Sequence, residues 1–220
     1  MAFDHSNQII SYLTQRKLLG YLGISLPFLV FIGSQFEGAT PLLNSISAYY
    51  FTNVREVFVS TLAALSIFFI TYKGYTRLDN VLTNIAGVLA LNVALFPSMR
   101  ETNEVVLYLF AFIPPNATDI IHLCSASTFF LILSFISYFI FTKTGNSPMT
   151  PRKIVRNRVY RACGVILFSS LVIMGIYELF PDDVKRSLQF FRPIFLFETI
   201  SLFAFGTSWL VKGGVILRDK

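Results

Sequence analysis

The chain has 220 residues, of which 54% are hydrophobic and only 14% charged, with a mean hydropathy of +0.63. A soluble domain carries about 25% charged residues, so a water-facing surface of ordinary polarity is excluded. The net charge of +6 is no nucleic-acid footprint, because the basic residues alternate loop by loop instead of forming one face.

In chain order, residues 1–17 read as a cytoplasmic tail with a short interfacial helix around Ile9–Leu13. Leu18–Phe36, Asn80–Met99 and Ile120–Thr142 contain no Asp, Glu, Lys or Arg, while Glu56–Tyr72, Ala162–Phe180 and Pro193–Val211 contain one acid each. Each run is near or above the ~18–20 residues that cross a ~30 Å hydrocarbon core as a helix. The runs are continuous rather than alternating, which favours helices over a barrel.

The expected fold is therefore all-α: one domain, 18–211, of six transmembrane helices spanning about 18–36, 55–73, 79–97, 119–142, 160–180 and 190–211, then a tail, 212–220. Pro27 should kink the first span. No small-residue cleavage site follows that run, so it is expected to stay in the membrane. "YKGYTRLDN" reads as a hairpin with Gly74 as hinge and Asp79 or Asn80 as helix N-cap. "YLFAFIPPN" is too short to span, and either lies in the interface or folds over the bundle mouth. The loop 143–158 holds Gly145, Asn146, Pro148 and Pro151, then "RKIVRNRVYR".

With the N-terminus inside, 13 of the 18 Lys and Arg lie on the cytoplasmic side. Arg55, Arg100, Lys185, Arg186 and Arg192 lie outside. The positive-inside rule then predicts both termini in the cytoplasm, with a bacterial inner (plasma) membrane as the expected home. The basic loops would also touch anionic lipid.

Polar residues converge at the outer side. The loop "LLNSISAYYFTNVREVF" carries Ser45, Ser47, Tyr49, Tyr50 and Arg55, more than a tether needs. Asp119 and His122 are one turn apart and share a helix face. Glu178 ends the fifth span, and Glu198 lies ~9 Å below Arg192 at 1.5 Å per residue. An unpaired carboxylate at that depth costs a few kcal/mol, so Glu198 is expected to pair with Arg55, or secondarily with His122. One reading is a structural bridge between the second and sixth spans. Another is a ligand site of Ser45, Ser47, Tyr49, Tyr50, Arg55, His122 and Glu198.

Catalytic candidates are Ser47 (or Ser45) as nucleophile, His122 as base, and Asp119 or Glu198 as the group orienting it. No GxSxG accompanies them. One imidazole with carboxylates is a poor zinc set, so no metal and no cofactor are expected. No P-loop, GxGxxG, TVGYG-like filter or arginine ladder is present, and no lysine falls within a predicted span apart from Lys73 at the inner edge of the second. Cys124 and Cys163 read as small packing residues in helices, and the aromatic excess as an interfacial belt.

The order of "NSISAYYFTNVREVF", "LDNVLTNIAGVLALNVALFP" and "IHLCSASTFF" resembles the Frag/DRAM/Sfk-like superfamily of six-span membrane proteins. The resemblance covers about residues 20–145 and extends to the last two spans by topology alone. It implies a lipid-related role and supplies no catalytic residue. "YYFTNVRE" replaces the family's usual continuation of the first loop. A weaker similarity is to ceramidase- and adiponectin-receptor-like membrane hydrolases, whose His-x-x-x-His pair is missing here.

Three functions follow from these residues. The first is binding or sensing of a lipid or amphiphile by the outer cluster, with membrane lipids as partners. The second is an intramembrane lipid hydrolase or transferase with His122 as general base. The third is a transporter or channel subunit, with self-association as a homo-oligomer an open alternative.

Overall fold

The computed structural model describes residues 11–36, 38, 41–74, 76–98, 109–144 and 149–218. The expectations for the tail before residue 11, for Arg100 and for Gly145, Asn146 and Pro148 lie outside the described residues.

The helices begin where local chemistry satisfies their free amides. Ser11 caps α1 (Tyr12–Gly33), accepting from the Thr14 amide. Thr76 and Asp79 form a reciprocal capping box on α3 (Arg77–Leu95). The cap of this hairpin is thus Thr76, not Asp79 or Asn80, and the Asn80 side chain instead accepts from the Gly74 amide at 2.7 Å. Thr150 caps α5 (Pro151–Glu178). Proline occupies the first turn of α4 (Pro115–Phe135), α5 and α7 (Pro193–Lys212), where its missing N–H costs nothing. A π-helical turn, Ile136–Ile140, prolongs α4. The uncapped α2 (Arg55–Thr71) follows a 3₁₀ turn at Ser47–Phe51. The short α6 (Asp182–Leu188) and a 3₁₀ turn at Gln189–Phe191 lead into α7.

Two starts differ from the sequence reading. α1 begins at Tyr12 and carries Arg16 and Lys17 within it, and α5 begins at Pro151, so "RKIVRNRVYR" is helical. Caps and initiating prolines set these starts, whereas hydropathy registers only the apolar portion. α1 also runs unbroken through Pro27.

Around the bundle α1 packs on α2, α2 on α3, α3 on α4, α4 on α5, α5 on α7 and α7 on α1, closing a ring. Small residues permit close crossings. A Cβ on Gly206 of α7 would lie 2.6 Å from the Gly20 carbonyl oxygen of α1, and one on Gly87 of α3 would lie 2.8 Å from the Ser66 carbonyl of α2. Aromatic side chains fill the interior: Trp209 sits edge-on to Phe69, Tyr72 and Phe141 at centroid distances of 5.1–5.4 Å.

The outer surface is apolar as well, with Ile67, Val88, Phe139 and Phe168 exposed. Helices apolar all round are those of a lipid-embedded protein. Five of them, Tyr12–Gly33, Arg77–Leu95, Pro115–Ile140, Pro151–Glu178 and Pro193–Lys212, are long and apolar enough to cross a membrane. The chain is an all-α integral membrane protein; among the described residues there is no strand.

Candidate functional site

The ring has two unlike ends. At one, the basic end, α1, α3 and α5 begin and α2, α4 and α7 finish. At the other, the loop end, residues 41–54 fold across the bundle. α7 and α4 hold this loop. Asn44 accepts a hydrogen bond from the Phe195 amide with its carbonyl (2.9 Å) and from the Arg192 guanidinium with its side chain. Arg192 turns the chain into α7 in a left-handed conformation (φ 46°), which non-glycine residues adopt rarely. The Ile46 amide donates to Glu198 Oε2 of α7 at 2.5 Å, and Ser47 Oγ lies 3.4 Å from Oε1. Glu198 thereby caps the 47–51 turn with an acid, where the turn's free amides favour negative charge.

Ser47 is the junction. Its hydroxyl lies 3.0 Å from His122 Nε2 on α4, and His122 Nδ1 lies 2.7 Å from the Phe96 carbonyl at the end of α3. A carbonyl can only accept, so Nδ1 carries a proton; in the neutral ring Nε2 is then an acceptor for the Ser47 hydroxyl. His122 is 2% and Ser47 8% exposed, so water does not compete for these bonds. The Phe110 ring stacks on Phe96 at 4.8 Å, which folds the start of "LFAFIPPN" over this end of the bundle.

The other predicted residues divide. Ser45 faces its own turn, its Oγ accepting from the Ala48 amide at 3.0 Å. Tyr50 accepts from Arg55 at 2.7 Å while the guanidinium lies over its ring at 4.4 Å. The predicted Arg55–Glu198 pair is therefore replaced: Arg55 engages Tyr50, and Glu198 takes the loop amide. The reason is geometric: the Ile46 amide sits on the Glu198 carboxylate, while the Arg55 guanidinium is turned onto the Tyr50 hydroxyl. Asp119 is half-buried one turn before His122, but both ring nitrogens are occupied without it; the group orienting the imidazole is the Phe96 carbonyl. Tyr49 is fully buried against Phe195, and its hydroxyl, near Ser34 and the Leu43 backbone, meets no hydrogen-bond partner of good geometry among the described residues. Burial pushes its phenol above the ordinary range.

Glu178 pairs with Lys185 of α6 at 3.0 Å, beside a cavity of about 290 Å³ between α5, α6 and the start of α7 that Asn44 also lines. Among the described residues no three His, Cys, Asp or Glu side chains are grouped to hold a metal. Both cysteines are free; Cys163 is buried and Cys124 is exposed on α4 rather than packed inside. Sequence reading missed the Phe96 carbonyl, the Ile46 amide and the Asn44 clasp. The first two are backbone atoms, for which no residue letter is a signal.

Compared with family models, curated proteins and solved structures, the chain finds no match in any of the three.

Proposed function

We propose that this is a six-span integral membrane protein, with α2 as the sixth crossing and the basic end cytoplasmic, whose loop-end cluster binds or senses the polar head of a lipid or amphiphile. α2 is about 26 Å long at 1.5 Å per residue and is flanked by α1 and α3, so its neighbours carry it across. The excess of Lys and Arg in the loops of the basic end supports a cytoplasmic placement of both termini. A bacterial inner membrane fits the same charge pattern.

The observation that carries the reading is Ser47, whose hydroxyl meets His122 and Glu198 together at a buried point inside the rim of an apolar bundle. Such polar groups are costly in a membrane unless used. A headgroup hydroxyl or phosphate could take the place of the loop at these groups, so loop 42–54 is their cover. Native mass spectrometry of detergent-extracted protein should detect a defined lipid class that Ser47→Ala and Glu198→Gln lose while remaining folded. Equal lipid retention in all three proteins would refute the reading. A fluorescent-protein fusion after Lys220 should fluoresce and a periplasm-dependent phosphatase there should stay inactive; the reverse overturns the topology.

A second reading, acyl transfer, is favoured by the 3.0 Å Ser47–His122 contact with Nδ1 already anchored. Ser47 Oγ would attack a lipid ester carbonyl, pass its proton to His122 Nε2, and the leaving alcohol would take that proton; water would then release the acid. Labelling of Ser47 by a lipophilic fluorophosphonate, abolished in His122→Ala, distinguishes this from binding alone.

A further inference from the structure

At the loop end, α5, the short α6 and the start of α7 enclose a cavity of about 290 Å³ that Ser47, His122 and Glu198 do not line. Of its ten described lining residues five are charged, and both signs are present: Glu178 and Asp182 beside Lys185, Arg186 and Arg192. Three elements supply them. Glu178 ends α5, Asp182, Lys185 and Arg186 lie on α6, and Arg192 is the turn into α7. Residues three and four apart share a helix face, so α6 presents its acid and its two bases on one wall.

Contacts between these elements hold the cavity in shape. Lys185 Nζ lies 3.0 Å from Glu178 Oε2, and the Tyr177 hydroxyl donates to the Lys185 carbonyl at 3.5 Å, so the end of α5 carries α6. Arg192 donates to the Asn44 side chain, which ties the opposite wall to the loop. The Glu178 side chain is 59% exposed, and an ion pair so open to water contributes little by itself. Fastening α6 to α5 therefore does not account for five charges around one recess. Leu179, Phe190 and Phe191, each next in sequence to a lining residue, are strongly exposed, so the charged recess adjoins apolar surface.

We infer that this cavity binds a phosphate ester carrying a primary ammonium, a phosphoethanolamine head. A ligand of one sign would meet its own sign here: a bare anion faces the two acids, a bare cation the three bases. A zwitterion meets both. Guanidinium forks suit phosphate oxygens, and carboxylates accept from an ammonium that has N–H to donate. A trimethylammonium donates none and is held by aromatic faces, of which the described lining has Tyr177 alone. The volume takes a headgroup and not acyl chains, for which Phe190 and Phe191 offer an apolar surface. The site uses none of Ser47, His122 and Glu198, and it stands whether or not the reading of that cluster does.

Two probes separate a lipid from a soluble source of this head. The protein is reconstituted into vesicles of phosphatidylethanolamine, phosphatidylcholine and phosphatidylglycerol in equal parts, and the lipid retained after extraction is counted by native mass spectrometry. In parallel, free phosphoethanolamine is titrated into the full chain in an uncharged detergent and followed by calorimetry. Selective retention of phosphatidylethanolamine means a membrane lipid; saturable binding of free phosphoethanolamine without that retention means a soluble compound. Either supports the inference if Asp182→Asn/Arg186→Gln lowers it at least tenfold while Asp183→Asn, on α6 but outside the lining, and Ser47→Ala keep it. Should the double variant not fold, Arg186→Gln alone is used. Three results overturn it: phosphatidylethanolamine held no better than the other two lipids with no binding of the free head, an equal loss in Asp183→Asn, or a loss in Ser47→Ala that the double variant does not share.

Discussion

The Ser47 hydroxyl and the His122 Nε2 lie 3.0 Å apart although 75 residues separate them, and the Phe96 carbonyl fixes the ring that joins them. Removing Ser47 leaves His122 Nε2 buried without its partner, and removing His122 leaves the Ser47 hydroxyl only the longer contact to Glu198. Ser47→Ala and His122→Ala should each destabilise the protein by about 1–3 kcal/mol, with a coupling energy of about 1 kcal/mol in the double variant. Denaturant titration in detergent reads both, and strictly additive losses would show that the contact carries no energy.

Glu198 separates shape from charge. Gln keeps an oxygen to accept from the Ile46 amide, whereas Leu leaves that amide without its partner. Glu198→Gln should therefore keep most of the stability, and Glu198→Leu should lose about 1–3 kcal/mol more. Proteolysis of loop 42–54 is the second readout, faster in the Leu variant alone.

Tyr49 should behave in the opposite way. Its buried hydroxyl meets no well-aligned partner among the described residues, so Tyr49→Phe is expected to be neutral or stabilising at pH 7. Its phenol holds its proton to higher pH in the folded protein than in the unfolded chain. The unfolded state then binds fewer protons above about pH 10, and stability falls as pH rises through that value. Melting temperatures from pH 8 to 11 should fall less steeply in Tyr49→Phe.

Gly206 and Gly20 set the spacing of α7 and α1. A methyl group on Gly206 would meet the Gly20 carbonyl at 2.6 Å, and a backbone atom cannot step aside as a side chain can. Gly206→Ala should cost about 1–3 kcal/mol, seen as a lower melting temperature. Gly175→Ala, whose added carbon meets nothing within 4 Å, should be neutral or stabilising, since alanine is the better helix former.

Composition and run length by themselves determined that this is a helical membrane protein and where the apolar part of each long helix lies, though not where α1 and α5 begin. Removing some twenty apolar residues from water leaves a chain no alternative but to satisfy its amides internally. The polar residues near the loop end were also legible, because Ser47, His122 and Glu198 are costly in such a setting and stand out by letter alone. Who pairs with whom was decided only in three dimensions. Glu198 takes the Ile46 amide instead of the Arg55 side chain, and His122 takes the Phe96 carbonyl instead of Asp119. Backbone donors and acceptors are the same in every residue, so only the fold, by carrying the 47–51 turn between α4 and α7, could choose them.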